Sequence, residues 1–370
     1  MESCSPICRH YVLFRKLGQF ATSTRRRRIG RVLHRPLLFQ FQKWHHVSHS
    51  VANKTLRSYI ENYTDRHFSD MSKSVQLANP HLETMSSDFL YHLNFNVENS
   101  KEPTEIKKKF ADVKVICCGG TISRMRELAL YLRKVLDDPE TGEPVDLCSG
   151  GHRYAMFKVG PVLSVSHGVG SSTFSVVLHE LLKLVKYAGC QDPVFLRIGT
   201  CGGVGVPPGT VVVTKNAFNG YLRNEHEIAI LGKRVVRPAQ FPESVIKDVL
   251  AYGSSADDGF QTISGNTMGT DCFYEGQGRL DGAICEYTEA DKMEFLKKCF
   301  DLGIVNIEME ASMFASVTQK LGVKAGDVCV TIVNRLNGDQ VEITMEQKHE
   351  YEQRPFLVVG RYIKKLLQKC

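Results

Sequence analysis

The chain has 370 residues, of which 42% are hydrophobic and 24% charged, enough to bury a sizeable core. Its net charge of +7 lies at the start: residues 1–50 hold ten Lys and Arg and one acid, whereas the other 320 hold 37 basic and 39 acidic groups. The body of the chain is therefore not a polyanion-binding surface, and no apolar run of about 18 residues predicts a membrane span. The twelve cysteines include no C-x-x-C pair, which disfavours a structural zinc site and predicts reduced thiols of an intracellular protein.

The first 50 residues are a basic extension that includes the run Arg25 to Arg28. An Arg-rich, acid-poor start is typical of a mitochondrial transit peptide, although a disordered extension has the same composition. We predict a cytoplasmic protein, with mitochondrial import as the alternative. Residues 51–84 are predicted to be a linker or arm, and residues 85–370 to form one folded domain.

From residue 113 onward, strands and helices alternate along the chain. Short, apolar, β-branched runs predict strands over 113–118, 155–159, 162–166, 193–198, 210–213, 304–307 and 324–334. Helical spacing of apolar residues predicts helices over 123–135, 242–251, 289–298, 308–320 and 344–368, the last interrupted around Pro355, and a further helix opened by Gly168 and Gly170 that ends at Leu184. Residues 216–258 otherwise read as a polar connection. This alternation predicts an α/β fold in which helices cover a sheet.

A glycine-rich segment places Gln277 and Arg279 two residues apart, directly after Phe273 and Tyr274. In an extended segment these two polar side chains would face the same side. An amide and a guanidinium together match a ring edge that reads carbonyl, N–H, carbonyl, which is the edge of uracil, and an aromatic ring could stack on its face. The alternative is a turn with two solvated polar residues.

A second candidate site lies where the strand 193–198 ends. Arg197 precedes the glycine-rich segment 199–203, which contains Thr200. A turn of this kind presents backbone N–H groups to an anion, and the guanidinium and hydroxyl add further donors, so the segment predicts a phosphate site. No Walker lysine and no G-x-G-x-x-G motif accompanies it, which argues against a nucleotide. The alternative is a tight turn with a surface arginine.

A third candidate site is Glu308-Met309-Glu310, where a strand gives way to a helix. Two carboxylates flanking a methionine can hold the vicinal hydroxyls of a ribose. Alternatively, they are acids favoured in a first helical turn by the helix dipole.

These segments occur in an order and spacing that resemble the uridine phosphorylases of the nucleoside phosphorylase-I family, most closely the animal members. The resemblance runs from about residue 85 to the C-terminus and rests on Gly119-Gly120 with Arg124, Leu196 to Thr200, Phe273 to Gly282 and Asn306 to Glu310. It implies a three-layer nucleoside phosphorylase fold with a central mixed, partly barrel-like sheet surrounded by helices. It also implies reversible phosphorolysis of uridine to uracil and ribose 1-phosphate, with deoxyuridine as a candidate second substrate and with neither a cofactor nor a metal.

The resemblance also implies a role for individual residues. Phosphate would be held by Gly120, Arg153, Arg197 and Thr200, with Arg124 reaching it from the neighbouring subunit. Uracil would be held by Phe273, Gln277, Arg279 and Arg335. Ribose would be held by Glu308, Met309 and Glu310, with His92 supplied by the partner chain. The implied catalytic residues are Arg279, Gln277 and Arg197.

Cys201 departs from the family pattern, which has Ser or Thr after the phosphate threonine. A thiol there keeps the backbone donor but removes a hydroxyl. Two other functions stay open: a non-catalytic uridine- or uracil-binding protein in which Cys201 has disabled phosphate binding, and a nucleic-acid- or partner-binding role of the basic extension. The main expectation is a homodimer with shared active sites that binds neither nucleic acid nor membranes.

Overall fold

A computed structural model describes residues 74–98, 105–151 and 153–369. The predictions for residues 1–50, and those for the arm as far as residue 73, fall outside these ranges. Within them, no helix is both long and apolar enough to cross a membrane. The nine cysteines in the same ranges are all free thiols.

The described residues form twelve strands and seven α-helices. The strands are β1 (Ser87–Leu90), β2 (Phe95–Glu98), β3 (Val115–Gly119), β4 (Met156–Val159), β5 (Val162–Ser166), β6 (Val194–Gly203), β7 (Val211–Phe218), β8 (Glu225–Ile230), β9 (Lys233–Pro238), β10 (Thr262–Gly269), β11 (Ile304–Glu308) and β12 (Lys324–Asn334). The helices are α1 (Glu105–Phe110), α2 (Ile122–Val135), α3 (Ser171–Ala188), α4 (Glu243–Asp248), α5 (Glu289–Asp301), α6 (Ala311–Leu321) and α7 (Met345–Leu367). Short 3₁₀ turns lie at Pro80–Glu83 and Glu275–Gln277, and a π turn follows α4 at Val249–Gly253.

Five strands of the main sheet close into a ring. The strand order is β11-β10-β7-β12-β6-β3-β5-β4, and β11 also pairs with β6, which closes the ring at that end. β6 runs parallel to β12 and β3, whereas β12 with β7 and β11 with β6 are antiparallel pairs. The prediction of a mixed, partly barrel-like sheet is therefore confirmed.

Helices pack around this sheet and bury its apolar side chains. α2 packs on β4, β5 and α7, and α3 packs on α1 and α6. The predicted interruption at Pro355 is wrong, because α7 continues through that residue and buries it. Proline removes one backbone donor from a helix interior, but the neighbouring Phe356, Val358 and Val359 are fully buried and hold α7 against the core.

Three strand regions differ from the sequence-based prediction, and the first is the antiparallel pair of β1 and β2, which was not predicted. The polar connection predicted over 216–258 contains a hairpin of β8 and β9, joined by Leu231 and Gly232. Both joining residues have positive φ, at 50° and 74°, as a two-residue hairpin turn requires. β10 was not predicted at all. The other predicted strands and helices are confirmed, with displaced ends.

Candidate active site

Gly120 and Arg124 meet at the start of α2. Thr121 caps the helix, since its hydroxyl accepts the Arg124 N–H at 3.2 Å, and this fixes the turn that carries the arginine. A Cβ on Gly120 would stand 3.3 Å from the Gly168 carbonyl and 3.8 Å from Arg124 Nη1. Glycine therefore leaves space between that guanidinium and the segment after β5. Arg124 is anchored by Glu352 of α7, with Nη2 and Oε1 2.8 Å apart.

Arg197 is buried on β6 among three carboxylates. Its Nη1 lies 2.9 Å from Glu308 Oε2 and 2.8 Å from Asp327 Oδ1, and Nη2 pairs with Glu310. Burial alone would lower the pKa of this guanidinium, but the surrounding acids raise the pKa well above its ordinary value. Arg197 is therefore a permanently charged group with a fixed orientation.

The pKa values of Glu308 and Glu310, two of the carboxylates around Arg197, are shifted in opposite directions. Burial, together with Asp327 and Glu310, raises the pKa of Glu308 to about 8, so Glu308 holds a proton at neutral pH. Burial is also the largest influence on Glu310 and acts to raise its pKa, but Arg197 together with His167 and the hydrogen bonds from Gly170 and Glu308 outweighs it, so the pKa of Glu310 is lowered.

The glycine-rich turn predicted at 199–203 is wrong, because these residues are the second half of β6. Thr200 is half-buried and pairs with Val330 of β12, and Cys201 is buried opposite Thr331. The strand continues because β12 runs beside it and because Gly202 accepts a close neighbour: a Cβ there would stand 2.9 Å from Arg335 Cγ. Glycine at this position thus lets Arg335 cross β6.

Gln277, Arg279 and Arg335 form a buried group of hydrogen-bond donors and acceptors. Arg335 Nη2 donates to the Gln277 carbonyl at 2.9 Å, and Nη1 lies 3.4 Å from Gln277 Oε1. Their exposed fractions are 5% for Gln277, 8% for Arg279 and 1% for Arg335. The extended geometry predicted for this segment is wrong: Gln277 ends a 3₁₀ turn, and Gly278 has a φ of 62°. The left-handed glycine turns the chain between Gln277, which contacts Arg335, and Arg279, which contacts Asp281.

Two acids that the sequence analysis did not single out hold the arginines. Asp281 binds Arg279 through two contacts, to Nε at 2.8 Å and to Nη2 at 2.5 Å, and raises the pKa of that guanidinium. Asp339 binds Arg335 at 2.9 Å and Lys292 at 2.9 Å, and accepts the Leu280 N–H. A sequence signal existed for Asp281, which lies two residues after Arg279 in the same motif. None existed for Asp339.

Phe273 contacts Arg279 directly. The guanidinium carbon lies 4.5 Å from the centre of the Phe273 ring, which is itself 43% exposed. The ring thus packs on the arginine by a cation–π contact. Stacking of Phe273 on a base remains a prediction.

Glu308, Met309 and Glu310 have different surroundings. Glu308 points inward and accepts the N–H groups of Glu310 and Ala311, so it caps the start of α6. Glu310 accepts the N–H of Gly170 and pairs with Arg197. Met309 is half-buried, and its methyl group would lie 3.8 Å from a Cβ on Gly170. Glu310 therefore links the segment after β5 to the buried arginine.

His92 and Arg153 lie together and apart from these groups. Glu180 of α3 holds His92 Nδ1 at 2.7 Å and accepts the N–H groups of His92 and Leu93. The His92 ring lies 6.2 Å from that of Tyr154, the neighbour of the exposed Arg153. Within the described residues, no contact joins His92 or Arg153 to Arg197. The prediction assigned Arg124 to the partner's site and Arg153 to the chain's own. The structure places Arg124 beside Gly120 of its own chain, and the assignment of each arginine to one of two sites stays a prediction.

Several buried nitrogens at this end of the sheet have no hydrogen-bond partner. They are Arg124 Nε, Arg197 Nε, His167 Nδ1 and His167 Nε2. Buried polar groups are normally paired, so unpaired N–H donors that converge indicate a place for an oxygen-rich ligand. In the described ranges, no group of three or more His, Cys, Asp or Glu side chains is arranged to hold a metal ion.

The chain matches the family model described as "Phosphorylase superfamily" over residues 114–364. It is 44% identical over 298 residues to "Uridine phosphorylase 1" of Mus musculus, covering 80% of this chain and 94% of the mouse protein. It is 43% identical over 278 residues to "Uridine and thymidine phosphorylase" of Caenorhabditis elegans, covering 75% of this chain and 91% of that protein.

Two further comparisons concern the fold and the range of activity. A solved uridine phosphorylase structure from the oomycete Phytophthora capsici matches with a TM-score of 0.76 at 39% identity, over 80% of this chain and 100% of that one. The chain is also 34% identical over 296 residues to "Inactive uridine phosphorylase B" of Schistosoma mansoni, covering 80% of this chain and 98% of that protein. The predicted nucleoside phosphorylase fold is thereby confirmed.

Proposed function

The chain belongs to the phosphorylase superfamily and, within it, to the uridine phosphorylases, and on this premise we propose that it catalyses the reversible phosphorolysis of uridine to uracil and ribose 1-phosphate. As a member of this family it is a pentosyltransferase. Inorganic phosphate is the proposed co-substrate, and the proposed reaction needs neither an organic cofactor nor a metal ion.

One arrangement carries the proposal: β6 connects the buried donor group around Gln277 to the buried arginine Arg197. Gly202 of β6 packs on Arg335, whose N–H donates to the Gly203 carbonyl at 2.8 Å. Arg197 lies five positions earlier on the same strand, beside Glu310. One strand therefore contacts both the group proposed to bind the base edge and the arginine proposed to bind the anion, and Glu310, the carboxylate proposed for the sugar, pairs with that arginine.

At the base end, negative charge develops on uracil as it leaves, and the site has to stabilise that charge. Gln277 offers an acceptor and donors, and Arg279 offers donors only, so together they fit the carbonyl and N–H edge of uracil. Arg279 cannot act as an acid, because the pKa of a guanidinium is above about 12. It stabilises the leaving group electrostatically, as preorganised donors do in a water-poor site.

At the phosphate end, Arg197, Arg124 and Gly120 bind the nucleophile, and Glu310 holds the ribose hydroxyls. As the glycosidic bond stretches, positive charge grows on the ribose, and the phosphate beside it stabilises that charge before attacking C1′. Holding two reactants in this way can contribute about 7–11 kcal/mol through proximity. The unpaired Nε atoms of Arg124 and Arg197 support the presence of an anion there.

We further propose that the active enzyme is a homodimer in which His92 and Arg153 complete the site of the partner chain. Glu180 holds His92, and Arg153 adjoins Tyr154, whose ring lies beside that of His92; neither His92 nor Arg153 contacts the Arg197 group of its own chain among the described residues. His92 would then contact the far hydroxyl of the ribose, and Arg153 the phosphate.

The worm relative named for both uridine and thymidine supports a substrate range that extends to 2′-deoxynucleosides. Glu310 is the proposed ligand of the ribose hydroxyls, so a substrate without the 2′-hydroxyl loses part of that contact. Deoxyuridine is therefore a proposed secondary substrate with a lower kcat/KM than uridine.

The first test is uracil release from uridine by the purified full chain, with and without phosphate, with inosine as the control substrate. Phosphate-dependent release from uridine and none from inosine is the expected result. Uridine binding without turnover would overturn the proposal in favour of a non-catalytic binding protein, as the name of the inactive Schistosoma relative illustrates. The variant Cys201→Ser would then show whether the thiol is the cause.

A further inference from the structure

His167 is a fully enclosed side chain at the phosphate end of the site. It follows β5 directly, and its N–H donates to the Gly119 carbonyl at 2.8 Å, next to Gly120. The side chain is 1% exposed, and its ring stacks on Phe174 at 4.3 Å with an interplanar angle of 22°. The position and plane of the ring are therefore fixed by packing.

Neither ring nitrogen of His167 has a hydrogen-bond partner of ordinary geometry, although both are buried. The Gly168 backbone lies near the ring and acts weakly to raise its pKa, but it does not satisfy either nitrogen. A buried polar group left unpaired costs about 1–3 kcal/mol, so a packed histidine of this kind needs an explanation. An apolar residue would fill the same space on Phe174 without that cost. The unpaired nitrogens are thus the feature that packing alone does not account for.

The groups around the ring identify the kind of ligand that would pair with it. Burial lowers the pKa of His167 to about 3; the charge of Glu310 opposes this shift, and the charges of Arg197 and Arg124 add to it. The ring is therefore neutral at physiological pH and offers one N–H donor. It lies among the same two arginines whose Nε atoms are also unpaired.

We propose that His167 is a further phosphate-contacting residue, whose ring N–H donates to a phosphate oxygen held by Arg124 and Arg197. This inference rests on the proposed function, because it assumes that phosphate is bound in that place. A neutral donor contributes a directed hydrogen bond without adding positive charge beside Arg197 and Arg124, which already repel each other. One bound phosphate would then pair three of the four unpaired nitrogens, namely Arg124 Nε, Arg197 Nε and the ring N–H of His167. The other ring nitrogen of a neutral histidine is an acceptor and would not bind phosphate.

The test compares His167→Phe with His167→Gln and the wild type. Phenylalanine keeps the stack on Phe174 and removes both nitrogens, whereas glutamine keeps an N–H donor. His167→Phe is expected to raise the KM for phosphate about tenfold or more, as expected for loss of a hydrogen bond to a charged group, and to leave the KM for uridine within about twofold of the wild type. His167→Gln is expected to regain part of the loss. His226→Phe, which changes a buried histidine of β8 outside this group, should leave the phosphate KM unchanged.

The outcomes separate this inference from the proposed function. An active wild type with an unchanged phosphate KM in His167→Phe would overturn the role of His167 alone, as would equal rises in the KM values for phosphate and uridine. An inactive wild type would overturn the proposed function. In that case, the phosphate-induced rise in melting temperature still tests His167 as an anion ligand, since the proposal requires that rise in the wild type and its loss in His167→Phe. If His167→Phe does not fold, the phosphate KM of His167→Gln against that of His167→Ala decides the same point.

Discussion

Arg279 is fixed on two sides before any substrate arrives. Asp281 binds its Nε and Nη2, and the Phe273 ring covers one face of the guanidinium. The edge of the guanidinium that does not face Asp281 therefore remains available to a base. The same acid that orients the arginine also reduces the positive charge that a leaving uracil would meet, so orientation and charge have to be tested by separate variants.

Arg279→Ala removes the charge and the fork together. We expect kcat/KM for uridine to fall by about 10² or more, the scale for losing one preorganised donor to a developing anion. Steady-state kinetics with saturating phosphate measures the loss. The matched control is Arg234→Ala on the β8–β9 hairpin, where the arginine is exposed and pairs with Glu227. Turnover like that of the wild type in Arg279→Ala would remove this residue from the mechanism.

Asp281→Asn keeps the arginine but weakens its orientation, because an amide accepts with one oxygen only. We expect the KM for uridine to rise roughly fivefold with a smaller change in kcat, since Asp281 is partly exposed and its contacts are screened. The control variant is Asp301→Asn, an exposed acid paired with Lys297 on α5. An unchanged KM would mean that the aromatic contacts of Phe273 and Tyr274 are enough to hold the guanidinium of Arg279 in place.

Among the secondary-structure elements, β10 shows most clearly what the sequence did not reveal. Its residues are polar and include two glycines, so no hydrophobic pattern predicted a strand. Inside the ring of strands, however, Thr267 Oγ1 lies 2.7 Å from both Thr214 Oγ1 and Asn306 Oδ1, and Thr214 bonds to Asp327, a partner of Arg197. Inside the ring, polar side chains that hydrogen-bond to one another occupy positions where apolar side chains would be expected. They lie on different strands, so only the closed ring brings them together.

The central residues of the other helices and strands were predictable from the sequence, because their hydrophobic patterns lie within short stretches of the chain. β3 is apolar throughout and is enclosed on both faces, and the carboxamide–guanidinium pair is visible as a short motif. The acids that hold the arginines were not predictable, since Asp339 is 60 positions from Arg279 and meets the site only through the fold. The proposed exchange of roles between Arg124 and Arg153 was not predictable either, because sequence spacing does not distinguish a chain from its symmetric copy.

Thr267→Val tests the polar chain inside the ring. The substitution keeps the shape and removes the hydroxyl, which leaves Asn306 and Thr214 short of a partner, so the free energy of unfolding should fall by about 1–3 kcal/mol. Thermal or denaturant unfolding measures it. Thr262→Val, in the same strand, removes a buried hydroxyl that has no hydrogen-bond partner and should be neutral or stabilising. If both variants lost the same stability, the hydrogen bonds of Thr267 would not be the cause.

For the whole molecule, the proposed dimer predicts that two inactive variants can restore each other. In a mixed dimer of His92→Ala and Arg197→Ala chains, one site keeps both residues and the other site lacks both. Because half of randomly mixed dimers are of this kind, activity should return to about a quarter of the wild-type value. The measurement is uridine phosphorolysis after the two chains are mixed, unfolded and refolded together.

Two further mixtures test which residues a chain supplies to its partner. His92→Ala mixed with Arg153→Ala should not recover activity, since the proposal places both residues on the surface given to the partner. His92→Ala mixed with Arg124→Ala should recover it, because Arg124 lies beside Gly120 of its own chain. The reverse pattern would restore the assignment made from the sequence, and no recovery in any mixture would exclude shared sites.

The stability of the folded chain should depend on pH through two buried groups with opposite effects. The pKa of His167 is lowered to about 3 by burial and by Arg197 and Arg124, below its ordinary value near 6.5. Between these values the unfolded chain binds a proton that the folded chain does not, so stability falls as the pH drops from about 6.5 towards 3.

The pKa of Glu308 is raised by burial to about 8, above its ordinary value near 4.5. Here the folded chain keeps a proton that the unfolded chain releases, so stability falls as the pH rises from about 4.5 to 8.

Single variants separate the two effects, because each removes one titrating group. Melting temperatures should be measured in phosphate-free buffers from pH 5 to 8, since bound phosphate would add its own stabilisation. Relative to the wild type, His167→Phe should gain most at pH 5, and Glu308→Gln should gain most at pH 8. The prediction concerns only how the difference in melting temperature between variant and wild type changes with pH. A loss of stability from altered packing or capping that is the same at every pH does not affect it. A difference that is flat with pH in either variant would mean that the group titrates alike in the folded and unfolded chains; for His167, that result would require water or a counter-ion to reach the ring in the folded protein.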